Sequence, residues 1–202
     1  MRAITALSLL CIASPAVLAA QVCYNARPRP ACRAYVITNF GAYLLLGPDD
    51  WGDGPWREVA DWGAMVNVSE KDAVGGSVFA SLDRAGLLLG PEVRYRRWLT
   101  ASAALDVAVG TPLVSSTGNI ESGSITGLVR WSPNSWLAVA ARPEALRWTS
   151  VVSCGPTGCL TATRYHTRLS IGAEIGRLPG AVLTGLGAAG TYLMYLAIAS
   201  VD

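Results

Sequence analysis

Charge is scarce in this chain. Only 15% of its 202 residues are Asp, Glu, Lys or Arg, against about 25% in ordinary soluble domains. The 16 basic and 14 acidic residues leave a net charge of +2, and Lys71 is the single lysine. There is no basic cluster, which argues against a nucleic-acid partner. Histidine is scarcer still. His166 stands alone, so a multi-histidine metal centre is impossible and a histidine-based triad has one residue to use. No glycine-rich phosphate loop, nucleophile elbow or HExxH motif occurs, and no cofactor is expected. What the chain has in quantity is apolar. Hydrophobic residues make up 51%, and mean hydropathy is +0.36. That composition excludes a disordered chain and points to a membrane or exported β-protein.

Residues 1–19 read as a secretory signal. Arg2 supplies the positive start, residues 4–12 a short apolar stretch, Ser14-Pro15 a break, and Val17-Leu18-Ala19 a small-residue cleavage site. The apolar run is too short for a transmembrane helix. Leu10 before Cys11 argues against a lipoprotein. Cleavage removes Cys11 and leaves two local cysteine pairs, Cys23 with Cys32 and Cys154 with Cys159. An even count in an exported chain predicts two disulfides, each closing a short loop. A four-cysteine zinc site is the rival, but no CxxC spacing is present. No metal site is expected.

From residue 34 the dominant period is two, the signature of strands. Leu87, Leu89, Pro91, Val93 and Tyr95 alternate with Glu92, Arg94 and Arg96. Ala101, Ala103, Leu105, Val107 and Val109 oppose Ser102 and Asp106. Ile125, Val129 and Trp131 oppose Ser124, Thr126 and Arg130. Leu137, Val139 and Ala141 oppose Arg142 and Glu144. Tyr165, Leu169, Ile171, Ala173 and Ile175 oppose Arg164, His166, Arg168, Ser170 and Glu174. Weaker alternation marks 61–69 and 76–82, and 33–46 is apolar and β-prone. These are eight strands of roughly 7–14 residues, comparable to the 9–11 that cross a bilayer when tilted. Long connections at 47–58, 111–121 and 149–162 fall at odd positions. Even connections are short, the fourth very tight at Arg97-Trp98. A membrane barrel alternates in this way.

The expected fold is therefore all-β. It is a closed antiparallel up-and-down barrel over 33–177, preceded by an N-terminal disulfide loop at 20–32 and followed by an apolar tail at 178–202. A strand crosses lipid only if its sheet closes. Eight strands enclose an interior filled by side chains rather than a pore. That interior would hold Glu92, Arg94, Arg96, Asp106, Arg130, Arg142, Glu144, Arg168 and Glu174 as a buried ion-pair network. Trp62, Trp98, Trp131, Trp136 and Trp148 would supply interfacial girdles. On the signal, the alternating segments and the loop asymmetry, the chain resembles small bacterial outer-membrane β-barrel proteins of the OmpA-type transmembrane-domain class. Residues 74–80, followed by 94–99, are also similar to segments of predicted barrel proteins. The resemblance implies a bacterial outer-membrane location and the lipid bilayer as partner.

Several features press on this reading. Pro91 and Pro143 fall inside strands, and each predicts a bulge. The uncharged tail reads as a C-terminal apolar helix, an extra hairpin, or a strand with a disordered end. It also lacks the terminal aromatic usual in the class. His166 and Ser170 share a face with Arg168 between them. The His-x-Ser spacing of barrel lipid A deacylases is absent, so the chain is expected not to be an enzyme. Glu92, Glu144 and Glu174 could form paired carboxylates, but five arginines on their face make salt bridges the expectation. Asp49, Asp50 and Asp53 faintly resemble a calcium loop, without the twelfth-position glutamate. Three functional readings follow. The first is a non-enzymatic outer-membrane barrel whose long loops meet a surface ligand or protein. The second is an exported soluble barrel binding a small apolar ligand, and the third a lipid A-modifying barrel enzyme.

Overall fold

The computed structural model describes residues 22–23, 26–46, 55–84, 86–116, 123–155 and 158–176, with the backbone alone at 22, 150–152, 154–155 and 158–160. The expected signal at 1–19, the acidic segment at 49–54 and the tail at 178–202 lie outside these residues. So do the side chains of Cys154 and Cys159, whose backbones pair across two strands.

Among the described residues, ten strands form one sheet: β1 (Val22–Cys23), β2 (Ala34–Leu46), β3 (Trp56–Asn67), β4 (Asp72–Asp83), β5 (Gly86–Trp98), β6 (Ala104–Gly110), β7 (Val114–Ser115), β8 (Ile125–Ser132), β9 (Leu137–Gly155) and β10 (Gly158–Gly176). Two of them, β1 and β7, are two-residue additions. The other eight are the staves of a closed antiparallel barrel, because β10 pairs back onto β2. A walk along paired residues measures the stagger. It starts at Ala34 and passes Val66, Val74, Tyr95, Val107, Val129, Ala141 and Ile171 before reaching Leu44. The return lies ten residues up the strand it left. At 3.3 Å per residue and about 4.8 Å between strands, that shear tilts the staves by about 41°.

Period two becomes inside and outside. In β5, Leu88, Glu92, Arg94, Arg96 and Trp98 are buried in the interior, while Pro91, Val93, Tyr95 and Arg97 are exposed. In β6, Ala104, Asp106 and Ala108 face in, and Leu105, Val107 and Val109 face out. Every residue on the walk above faces out, as an even shear requires.

One rim carries the connections at 47–55, 84–85, 111–124 and 156–157; we call it the upper rim. The lower rim carries 68–71, 99–103 and 133–136. The N-terminal loop caps the lower rim. It is closed by the Cys23–Cys32 disulfide. Cys23 and Ala26 pack on an inward cluster that includes Tyr35, Ile37, Met65 and Trp98. Asn67 anchors the cap. Its amide donates to the carbonyls of Arg27 at 2.7 Å and Cys32 at 2.8 Å, and its oxygen accepts from the Trp98 indole at 2.9 Å. β1 covers the edge of β2 at Ala34 and Tyr35, below the point where β10 ends opposite Asn39. An edge left bare there would present unpaired N–H and C=O groups.

The structure corrects several expectations. β5 runs through Trp98, so the tight turn is not at Arg97-Trp98 but at 99–103. There the Thr100 hydroxyl accepts from the Ser102 and Ala103 amides. The connection expected at 47–58 ends earlier, because Trp56 already pairs with Leu44. The connection expected at 149–162 is mostly hairpin. β9 and β10 continue to Gly155 and Gly158, and their β-branched residues suit strands. One step of β10 there, Leu160 to Thr161, matches two of β9. At Pro91 the irregularity falls on the partner. Glu92 faces Gly110 and Leu89 faces Val114, so three steps of β5 meet four of its neighbour. At Pro143 there is no bulge. The β8–β9 register is the same on both sides, but the two rungs between Thr126 and Val129 are unpaired. Proline has no N–H to give to that ladder.

Candidate functional site

The chemistry is concentrated inside the barrel, where three layers stack. At the lower end the Arg96 guanidinium lies over Tyr35 at 5.3 Å and over Trp98 at 5.1 Å. It also forks onto Asp106, at 2.5 and 2.6 Å. Arg130 shares that carboxylate at 3.0 Å and reaches Glu174 at 2.6 Å.

The middle layer centres on Arg142, which is almost fully buried. It contacts Asp61 at 2.7 Å and Glu92 at 2.8 Å, and its Nε donates to the Tyr43 hydroxyl at 3.2 Å. The Tyr43 hydroxyl donates in turn to Glu174. Arg94 binds the same two acids as Arg142, Asp61 at 3.1 Å and Glu92 at 3.0 Å. The upper layer is a square. Arg57 meets Glu144 at 2.7 Å and Asp83 at 3.3 Å, and Arg168 meets Glu144 at 2.6 Å and Asp83 at 3.4 Å.

All nine interior residues expected from alternation lie in this network. Sequence reasoning missed Arg57, Asp61 and Asp83. Their signal was parity: Arg57, Val59, Asp61, Met65 and Asn67 alternate on one buried face of β3, and Asp83 continues the inward face of β4. Assigning 47–58 to a loop hid Arg57, while Asp61 opens the weakly alternating segment 61–69 and Asp83 stands just past 76–82. With them, six arginines meet six carboxylates. Closely paired opposite charges are what allows ionised groups to sit in a low-dielectric interior.

This arrangement has little capacity for acid–base work. Glu92, Glu144 and Glu174 each hold at least one guanidinium within 3.0 Å. His166 faces Leu146 across the ladder, and the Ser170 hydroxyl lies 3.5 Å from the Arg142 carbonyl. Four residues along one strand separate His166 and Ser170 by about 13 Å, too far for direct proton transfer. A cavity of about 30 Å³ beside Asn39, Arg96 and Arg130 has room for about one water. Among the described residues, no three His, Cys, Asp or Glu side chains group to hold a metal.

The outer wall is the inverse. Val93, Val107, Val109, Val129, Val139 and Ile171 are among its exposed large apolar residues. Outward charge occurs near the rims, as in the Asp72–Arg97 pair at 3.0 Å. From Leu87 to Tyr95 the outward row of β5 descends the tilted wall through about 20 Å of barrel height. Trp131 and Trp136 face out at the lower rim, Trp56 and Tyr165 toward the upper. Trp62 is half-buried midway along β3. Three of the expected girdle residues do not belong to it: Trp62, at mid-wall, and two on inward registers. Trp98 is inside, bonded to Asn67, and Trp148 lies on the inward register of β9.

No protein-family model matches this chain, and no curated protein matches it.

Proposed function

We propose that this chain is a non-enzymatic barrel of a bacterial outer membrane, with a structural or surface-interaction role carried by its upper rim. The observation that carries this is the polarity of the wall: an ionic interior within an aliphatic exterior. A soluble barrel that binds an apolar ligand needs the reverse, an apolar lumen and a wetted wall. The signal-like residues 1–19 and the aromatics toward both rims agree with lipid as the outer solvent. The filled interior argues against a pore. The guanidinium-locked acids and the separation of His166 from Ser170 argue against lipid hydrolysis. Partners would meet the upper rim, at 47–58, 111–121 and the tall hairpin over 149–162.

The test is gel mobility of the membrane fraction with and without boiling. A heat-dependent shift, with the protein resisting salt extraction, supports the reading. A protein released by salt washing and showing no shift refutes it.

A further inference from the structure

The cavity of about 30 Å³ at the lower end of the lumen is built by inward residues of β2, β5 and β8 and by the cap. Asn39, Arg96, Arg130 and Ser132 line it, with Ala26 of the N-terminal loop and Ser102 of a lower-rim turn. Gly176 at the end of β10 gives it room. A Cβ there would sit 2.9 Å from the Asn39 Oδ1 and 3.6 Å from the Arg130 Nη2. The missing side chain therefore leaves a space beside the guanidinium.

The charged side chains that line this cavity are both cationic, and each is at most 5% exposed. The carboxylates they bind do not line it. Asp106 takes the fork of Arg96 and one nitrogen of Arg130. Glu174 is reached by Arg130 but shared with the middle layer, where it accepts from the Tyr43 hydroxyl and lies 3.8 Å from Arg142. The lower end thus holds two guanidiniums against one carboxylate of its own. Donors are in surplus too. The Asn39 Nδ2 and the Ser132 Oγ are buried and have no hydrogen-bond partner among the described residues, which is costly for each. The Asn39 Oδ1 faces the Arg130 Nη2 at 3.4 Å. Guanidiniums offer donors only, and Arg96 has spent two of its five N–H groups on Asp106. A water among these groups would still need acceptors for its own two protons. A halide accepts from every side and carries the charge that the guanidiniums attract.

We propose that this cavity binds a single chloride ion, held by the Arg96 and Arg130 guanidiniums, the Asn39 amide N–H and the Ser132 hydroxyl. Size selects the ion. Room for about one water admits a monatomic halide and excludes phosphate, sulfate and carboxylates. The ion would enter from the lower rim, where Ser102 lines the cavity. The site lies inside the barrel, and it stands whether lipid or water covers the outer wall.

The experiment uses the full mature protein in a nonionic detergent, which brings no anion of its own. Thermal unfolding is compared at equal ionic strength in sodium chloride and in sodium gluconate, whose anion is too large for the cavity. Chloride at a few multiples of its Kd should raise the midpoint over gluconate by about 2–4 °C. The chloride NMR line should broaden on adding protein, and bromide should reverse the broadening. Gly176→Ala places a methyl in the cavity and displaces only the end of the Asn39 side chain. It should abolish both effects. Ser132→Ala removes one donor, leaves the volume, and should weaken chloride binding several-fold. Equal midpoints in the two salts would overturn the site and leave a water in the cavity. Effects that persist in Gly176→Ala would put the ion elsewhere and overturn the assignment. Unchanged affinity in Ser132→Ala would overturn the role of that hydroxyl. Each of these outcomes leaves the membrane reading untouched.

Discussion

Arg142→Met is the most informative single perturbation of the interior. Arg142 joins strands far apart in sequence, touching Asp61 at 2.7 Å and Glu92 at 2.8 Å. At such distances and an effective dielectric of 20, each carboxylate attracts the guanidinium by about 6 kcal/mol. Most of that attraction is offset by the cost of taking the ions out of water. Methionine fills similar space but leaves five arginines against six acids. Asp61 and Glu92 would then share Arg94 alone, at 3.1 and 3.0 Å. Breaking a buried pair in this way costs about 3–5 kcal/mol. Adding Asp61→Asn restores the balance at five and five. The double variant should recover about 0.5–3 kcal/mol, the range of coupling for contacting residues. The assay is urea unfolding in phospholipid vesicles, read from the fraction of heat-shiftable band. Two results would refute the reasoning: Arg142→Met within about 0.5 kcal/mol of the parent, or effects of the two substitutions that simply add.

Three other predictions are independent of this one. Val129→Arg, at an outward position on β8, should cost about 2–4 kcal/mol in bilayers if lipid covers that face, and little if water does; vesicle unfolding measures it. Asn67→Ala removes three hydrogen bonds to the cap and Trp98, and should cost about 3 kcal/mol at about 1 kcal/mol each. Trp98→Phe, which loses only the indole donor, should cost clearly less in the same titration. Replacing Cys23 and Cys32 together by serine opens a loop of sequence separation 9 and should lower stability by about 2–3 kcal/mol. The matching control is a parent treated with dithiothreitol, whose urea midpoint should fall toward that of the variant.

What could be read in the sequence was local. Alternation over two residues is a property of each strand alone. It therefore separated Glu92, Arg94 and Arg96 from Val93 and Tyr95 before any strand had a neighbour, and it yielded eight staves and an ionic lumen. It was weakest where both faces carried polar residues. At the start of β3, Glu58 points out while Arg57 and Asp61 point in, and two of the lumen's charges were lost to view there. Strand ends were also poorly legible. Trp98 looked like a girdle residue at a turn, but the chain continues in register to place it under the cap.

The tertiary structure decided everything that depends on register. Period two is unchanged when a strand slides by two residues. No pattern within one strand could therefore choose a shear of ten, or set Arg142 against an acid 81 positions away. The same holds at the prolines. Pro91 and Pro143 each promised a broken ladder. Only the pairing showed that one break falls on a neighbouring strand, while the other leaves a gap behind Gly127. Alternation is imposed by the geometry of one chain segment, whereas closure and ion pairing are imposed by strands that meet only once the barrel has closed.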